Sequence, residues 1–179
     1  EGKDVIEEIT YEGFGPDGVA IIVETMTDNK NRSAGEVRST FSKFNGNLGV
    51  SGCVRHNFEK VGLISYSKEI CSFEVFFEFC AGFDVNDVTE NDNSFDIETN
   101  SESFNYVLEN IEKKFLIPKF SELDWKPVNL IEITNEEQAK TLLKLLEALE
   151  DLDDVQNVAS NFNINEALME KIIWTKKKK

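Results

Sequence analysis

Cations are scarce in this sequence: 19 Lys and Arg stand against 34 Asp and Glu, a formal net charge of −15. A field of that sign disfavours general affinity for nucleic acid or anionic membranes, because phosphate binding needs clustered Lys and Arg. Histidine is scarcer still, with His56 the single example. A lone imidazole without a placed Cys, Ser or Asp partner is more often a surface or structural residue than a general base. The three cysteines, Cys53, Cys71 and Cys80, form no CxxC pair and cannot all pair with one another. Convergent metal ligands are therefore lacking, and the thiols suit a reducing compartment, Cys71 and Cys80 as small buried hydrophobes. No apolar run reaches the ~18 residues of a membrane span, and no signal-peptide pattern opens the chain. Without a secretory signal, the sequon Asn31-Arg32-Ser33 is discounted as a glycosylation site. The chain also lacks a starting Met, which suggests a trimmed or processed product.

Catalytic signatures are equally thin. GPDG (15–18) and NGNLG (45–49) lack the strand–GxxxxGK–helix context of a phosphate loop. The acidic run Glu147–Asp154 reads as a solvated face, and calcium-loop spacing is absent. These absences argue against an enzyme, and no cofactor or metal is expected.

What is present is ample core material: 40% hydrophobic residues, including 14 Phe, in 179 residues, enough for one medium domain or two small ones. Alternation and β-branched content predict a hairpin from strands 5–13 and 19–27 around the GPDG turn. Ser33, with Glu36 three residues on, forms a capping box for a helix over 34–44 whose apolar face is Val37, Phe41 and Phe44. Gly46 or Gly49 is expected to end it in a left-handed conformation. A second hairpin follows over 53–59 and 62–67, then a Phe-rich helix over 69–83 and a polar loop over 84–94. A strand at 95–99, a helix over 102–115 capped by Ser101, and a strand at 120–126 complete the middle of the chain. Beyond Pro127 come a strand at 128–133, a helix over 135–150 capped by Thr134 with Glu137, a strand at 155–164 and a short helix over 165–173.

The resulting order, β-β-α-β-α-β, occurs twice: once in the middle block and once in the two outer blocks joined together. The fold class predicted is α+β, two ferredoxin-like (split βαβ) α/β sandwiches, one inserted in the other. Residues 1–50 with 128–179 form the outer domain and 51–127 the insertion.

Positive charge outweighs negative in only one long stretch. Residues 28–60 hold Lys30, Arg32, Arg38, Lys43, Arg55 and Lys60 against Asp28, Glu36 and Glu59. With His56, these cations are the candidate phosphate contacts; the alternative is that Arg32 and Arg38 pair with neighbouring carboxylates. Asn29 and Asn31, in the polar turn Asp28–Arg32, are candidates for recognising a partner through their amides, although such side chains commonly satisfy only turn backbone. The tail Lys176–Lys179 could add to binding, though such a run is more often a disordered solubility feature.

YEGFGPDGVAIIVETMTDNKNRSAGEVRSTFSKFNGNLG (11–49), GCVRHNFEKVG (52–62) and LLKLLEALEDLDDVQNVASNF (142–162) resemble the YebC/PmpR family over nearly the whole chain. Family members usually read GPGG where this chain has Gly15-Pro16-Asp17-Gly18, and a Gly pair where it has Asn45-Gly46. The family includes bacterial regulators and a mitochondrial translational activator of cytochrome c oxidase subunit I. The resemblance implies two α/β domains, one nested in the other, preceded by a basic N-terminal helical domain lacking here. It also implies a non-enzymatic regulator of gene expression acting at DNA, or at RNA and the ribosome, with the missing domain supplying most of the contact. A monomer or weak dimer in bacterial cytoplasm is expected, with an organelle matrix as the other compartment. A protein scaffold with no nucleic-acid contact is the competing reading, and a hydrolase the third.

Overall fold

The computed structural model describes residues 5–177. In chain order it contains β1 (Glu7–Phe14), β2 (Ala20–Thr27), α1 (Lys30–Lys43), β3 (Asn47–Leu48), β4 (Phe58–Ser67), α2 (Phe73–Cys80), β5 (Asp87–Glu90) and β6 (Ser94–Asn100). There follow α3 (Phe104–Phe115), β7 (Phe120–Pro127), β8 (Ile131–Ile133), α4 (Glu136–Glu150), β9 (Val155–Ser160), β10 (Phe162–Ile164) and α5 (Glu166–Lys177). The chain divides into two compact units, one running to Glu59 and resuming at Pro127, the other Lys60–Lys126. Residues 51–59 thus lie with the outer segments.

In the first unit, β1 and β2 form an antiparallel hairpin, Glu7 opposite Thr27 and Phe14 opposite Ala20. Its turn is a 3-10 turn, Pro16–Gly18, in which Asp17 and Gly18 take φ of 60° and 76°. The sheet order is β3-β1-β2-β9. Apolar side chains on one face of β2 (Val19, Ile21 and Val23 from the turn onward) meet Val37 and Phe41 of α1 and Ala139, Leu142, Leu145 and Leu149 of α4. That contact is the unit's core, closed by Ile133 and Ile172. The strand after α1 is the two-residue β3. Residues 131–133 join no part of this sheet and instead pair in parallel with β10, so the expected long strand at 155–164 is two strands. Asn161, 2% exposed, makes the break: its Oδ1 accepts from Ala20 N–H at 2.8 Å, and its carbonyl accepts from Ile131 N–H at 2.8 Å.

In the second unit the order is β5-β6-β4-β7. α2 crosses from β4 to β5 and α3 from β6 to β7. The core is aromatic: Phe76 lies 5.0 Å from Phe95 and 5.4 Å from Phe115 between ring centroids, with Tyr66 at 5.9 Å from Phe76. Gly62 is required where it is, because a Cβ there would collide with the Phe104 ring and Thr99 Oγ1.

Several expected elements differ. The hairpin over 53–67 is absent: Arg55–Asn57 is a 3-10 turn and Phe58–Ser67 one strand. α1 begins at Lys30, not 34, because Asn29 rather than Ser33 supplies the cap, its Oδ1 accepting from Arg32 N–H at 3.1 Å. The left-handed residue ending α1 is Asn45 (φ 60°), while Gly46 is needed for close approach to the Phe14 carbonyl. α4 is capped by Asn135, one residue after Thr134, and α3 begins after Ser103. Strand β5 sits in the polar stretch read as loop; hairpin pairing with β6, not apolar content, holds it.

Burial pushes Tyr66 up to about 12, from 10.0, and Cys80 up to about 12, from 9.0. The folded state therefore holds these protons more tightly than the unfolded chain. Their stabilising effect is complete below about pH 9 and falls as pH rises toward 12. Urea titrations above pH 9 should show a falling midpoint, lessened by Cys80→Ala after allowing for its cavity; a midpoint flat to pH 11 would contradict this.

Candidate nucleic-acid interface

The cations of 28–60 lie in three settings. Arg32 is at the start of α1, and one guanidinium nitrogen reaches Asp28 Oδ1 at 2.8 Å and Asp154 Oδ2 at 3.1 Å. Asp154 also accepts from the Thr27 hydroxyl at 3.0 Å, and its carbonyl accepts from Met26 N–H at 2.9 Å. The guanidinium beside it holds the Asp28 carboxyl below its ordinary value, and the two carboxylates raise Arg32. Arg32 is thus a clamp between the start of α1 and the turn into β9, with two negative charges around one positive. Asn29, as the helix cap, is likewise committed to backbone. The supposed recognition turn is the first turn of a helix, with Asn31 exposed on it.

Arg55 is tied to a residue that sequence reading passed over. Glu12 on β1 is 1% exposed, and its carboxylate accepts from the backbone N–H groups of Gly52 at 2.5 Å, Arg55 at 3.0 Å and Val54 at 3.2 Å. The Arg55 Nε lies 3.4 Å from the same carboxylate. The Glu12 carbonyl accepts from Gly49 N–H at 2.8 Å, and Gly52, at φ 89°, turns the loop back onto the carboxylate. A buried carboxylate is tolerable only with such donors. Its signal in the sequence, a Glu in a loosely alternating strand, is indistinguishable from that of a solvated one.

Lys60 belongs to the other unit, its ammonium 4.5 Å above the Trp125 ring. Lys43 sits 5.5 Å over Phe44. Lys30, Arg38 and His56 are exposed. Lys30 and Lys43 are separated by nearly the length of α1, ~20 Å at 1.5 Å per residue. Arg38 and Lys43, five residues apart, project from different sides of the helix. The predicted cations do not converge. Among the described residues no group of three or more His, Cys, Asp or Glu is placed to hold a metal, and no helix is long and apolar enough to cross a membrane.

The pattern of these residues matches, over 6–162, the family described as the TACO1/YebC second and third domain. A probable transcriptional regulatory protein of Rickettsia canadensis is 47% identical over 89% of this chain and 63% of its own length. One of Persephonella marina is 48% identical over 93% of this chain and 67% of its own. The crystal structure of a conserved hypothetical protein from Aquifex aeolicus superposes with a TM-score of 0.81 at 42% identity, covering 93% of this chain and 68% of that one. The fold is that of a mixed α/β protein of two compact units. The chain belongs to the TACO1/YebC family. It spans about two thirds of the length of these relatives.

Glu12→Ala would leave three backbone N–H groups without their acceptor, each costing ~1–3 kcal/mol if still buried. Partial opening of the loop to water should bring the total to roughly 3 kcal/mol. Urea denaturation reads the loss, and amide exchange should quicken first at Gly52, Val54 and Arg55. A change under ~0.5 kcal/mol would show that the carboxylate does not hold the loop.

Proposed function

We propose that this chain forms the two-unit part of a non-enzymatic regulator of gene expression that acts at nucleic acid, either as a DNA-binding transcriptional regulator or at RNA and the ribosome. The observation that carries the reading is the match over residues 6–162 to a family whose curated relatives bear the name of probable transcriptional regulatory proteins. The remaining third of the relatives' length is where this reading puts most of the phosphate contact, since a net charge of −15 opposes it here and Arg32 and Arg55 are held by carboxylates. The same charge and pairing favour the second reading, a protein scaffold without nucleic-acid contact.

On this reading the molecule works in bacterial cytoplasm or an organelle matrix, as a monomer or weak dimer. The order β5-β6-β4-β7 with two crossover helices supports a split βαβ, ferredoxin-like reading of Lys60–Lys126. In the outer unit the main-sheet strands and the helices between them run β1-β2-α1-β3-α4-β9, the β-β-α-β-α-β order expected of the outer blocks. Lys30, Arg38, Lys43 and His56 remain candidate secondary contacts, Arg38 foremost.

The test titrates this chain, and a version with the relatives' full length, onto duplex DNA, structured RNA and ribosomes at two salt concentrations. The longer protein should bind far more tightly, with a steep salt dependence, and Arg32→Ala should leave its affinity within about twofold. Absence of binding to every probe by the longer protein would reject the reading in favour of the scaffold.

A further inference from the structure

The turn from α3 to β7 holds two aliphatic side chains out in water, in a segment that carries three lysines. α3 ends at Phe115, and Leu116 follows at φ 64°, ψ −150°, a conformation that L residues seldom adopt. Three hydrogen bonds impose it. Leu116 N–H donates to the Glu112 carbonyl at 2.9 Å, the Tyr66 hydroxyl donates to the Leu116 carbonyl at 2.8 Å, and Lys119 N–H donates to the Ser65 carbonyl at 2.7 Å. Tyr66 is itself wedged against Phe76 and Phe115. The outcome is Leu116 at 76% and Ile117 at 87% exposure, followed by the stiffening Pro118. Glycine at 116 would relieve the backbone and a polar residue at 117 would relieve the apolar exposure; the chain has neither.

Residues 113–119 contain Lys113, Lys114 and Lys119 and no carboxylate; the nearest in sequence is Glu112, whose charge, after burial, helps to raise Tyr66. Lys113 meets Glu109 only at 3.9 Å, both side chains largely in water, a pairing of little worth. Lys114 lies 5.9 Å over Phe79. Lys119 is exposed, with no ion-pair partner among the described residues. Favourable interaction with the α3 dipole accounts for Lys113 and Lys114. It accounts neither for Lys119, which lies beyond the helix, nor for the exposed aliphatic pair.

We infer that Lys113–Lys119 is a nucleic-acid contact of this chain: the lysines meet backbone phosphates while Leu116 and Ile117 press against unstacked bases. Apolar side chains flanked by cations are used in this way to wedge against or between bases, and single strands and loops offer base faces without the cost of unstacking a duplex. A two-residue tip is too small for the amphipathic area that membrane-surface binding needs. The inference rests on the reading of the protein as one acting at nucleic acid, and moves this chain's share of the contact from 28–60 to the α3–β7 turn.

The test measures fluorescence anisotropy of labelled single-stranded RNA, single-stranded DNA and duplex DNA with the wild-type chain, Ile117→Ser and Lys113→Ala/Lys119→Ala at several salt concentrations. The substituted side chains are exposed, so melting curves should match wild type. Wild type should prefer the single strands. The lysine pair should flatten the log–log salt slope by about 1.4, two contacts at ~0.7 each. Ile117→Ser should weaken single-strand binding roughly fivefold or more with the slope unchanged. No binding by wild type at low salt, unaltered binding by both variants, or loss in the lysine variant alone would each overturn the inference. So would Ile117-dependent binding to phosphatidylglycerol vesicles without nucleic-acid binding. If the full-length protein binds nucleic acid with Ile117→Ser as tightly as without it, the inference fails while the broader reading stands; if full-length protein binds none, the broader reading fails as well.

Discussion

A carboxylate removed from water needs several donors, and Glu12 obtains them by drawing the chain after β3 back over β1. Its acceptors fix Gly52, Val54 and Arg55, and so fix the path by which the chain leaves the first unit toward β4. Hydrogen bonds to an ionised acceptor are stronger than neutral ones, and three on one buried group define a single loop conformation. The same residue's carbonyl binds Gly49, so both functional groups of Glu12 serve one loop.

That arrangement is part of a wider economy of charge. In a chain with 34 acidic and 19 basic residues, two of the cations of 28–60 are taken up internally: Arg32 by Asp28 and Asp154, Arg55 by Glu12. Part of the local positive excess along the sequence is thereby neutralised, while Lys30, Arg38 and Lys43 stay exposed. In the second unit the aromatic core instead locks Tyr66, whose hydroxyl holds an outlying backbone conformation at Leu116 and keeps an aliphatic pair in solvent, in a segment that carries three lysines.

Periodicity made much of the fold legible. The β1–β2 hairpin, the Val37–Phe41 face of α1 and the helix at 135–150 follow from apolar spacing, which burial enforces. The Phe-rich segment is ambiguous in apolar content; its length and the Gly82 ending point to the helix, which is shorter than expected, Phe73–Cys80. The failures share an origin in pairing that local composition does not show. β5 is polar and exists because β6 pairs with it; β8 pairs with β10 rather than entering the main sheet; Asn161 splits a strand because Ala20 offers both a donor and an acceptor. Asn29 rather than Ser33 caps α1, since either residue type can cap and only the fold chooses. At the candidate site, the types of residue were legible but their engagement was not. Nothing local marks Glu12 as buried, and although Asp28 stands four residues before Arg32, nothing local shows the Asp154 contact that makes Arg32 a clamp.

The central claim is that Arg32 and Arg55 of the basic stretch are held by carboxylates and that the α3–β7 turn is this chain's principal proposed contact with nucleic acid. Amide chemical-shift mapping of this chain during titration with a short single-stranded RNA tests it most directly. The account predicts perturbations centred on Lys113–Lys119 with Arg32 and Arg55 unmoved. Perturbations centred on α1 and the Arg55–Asn57 turn, with the α3–β7 turn silent, would contradict it.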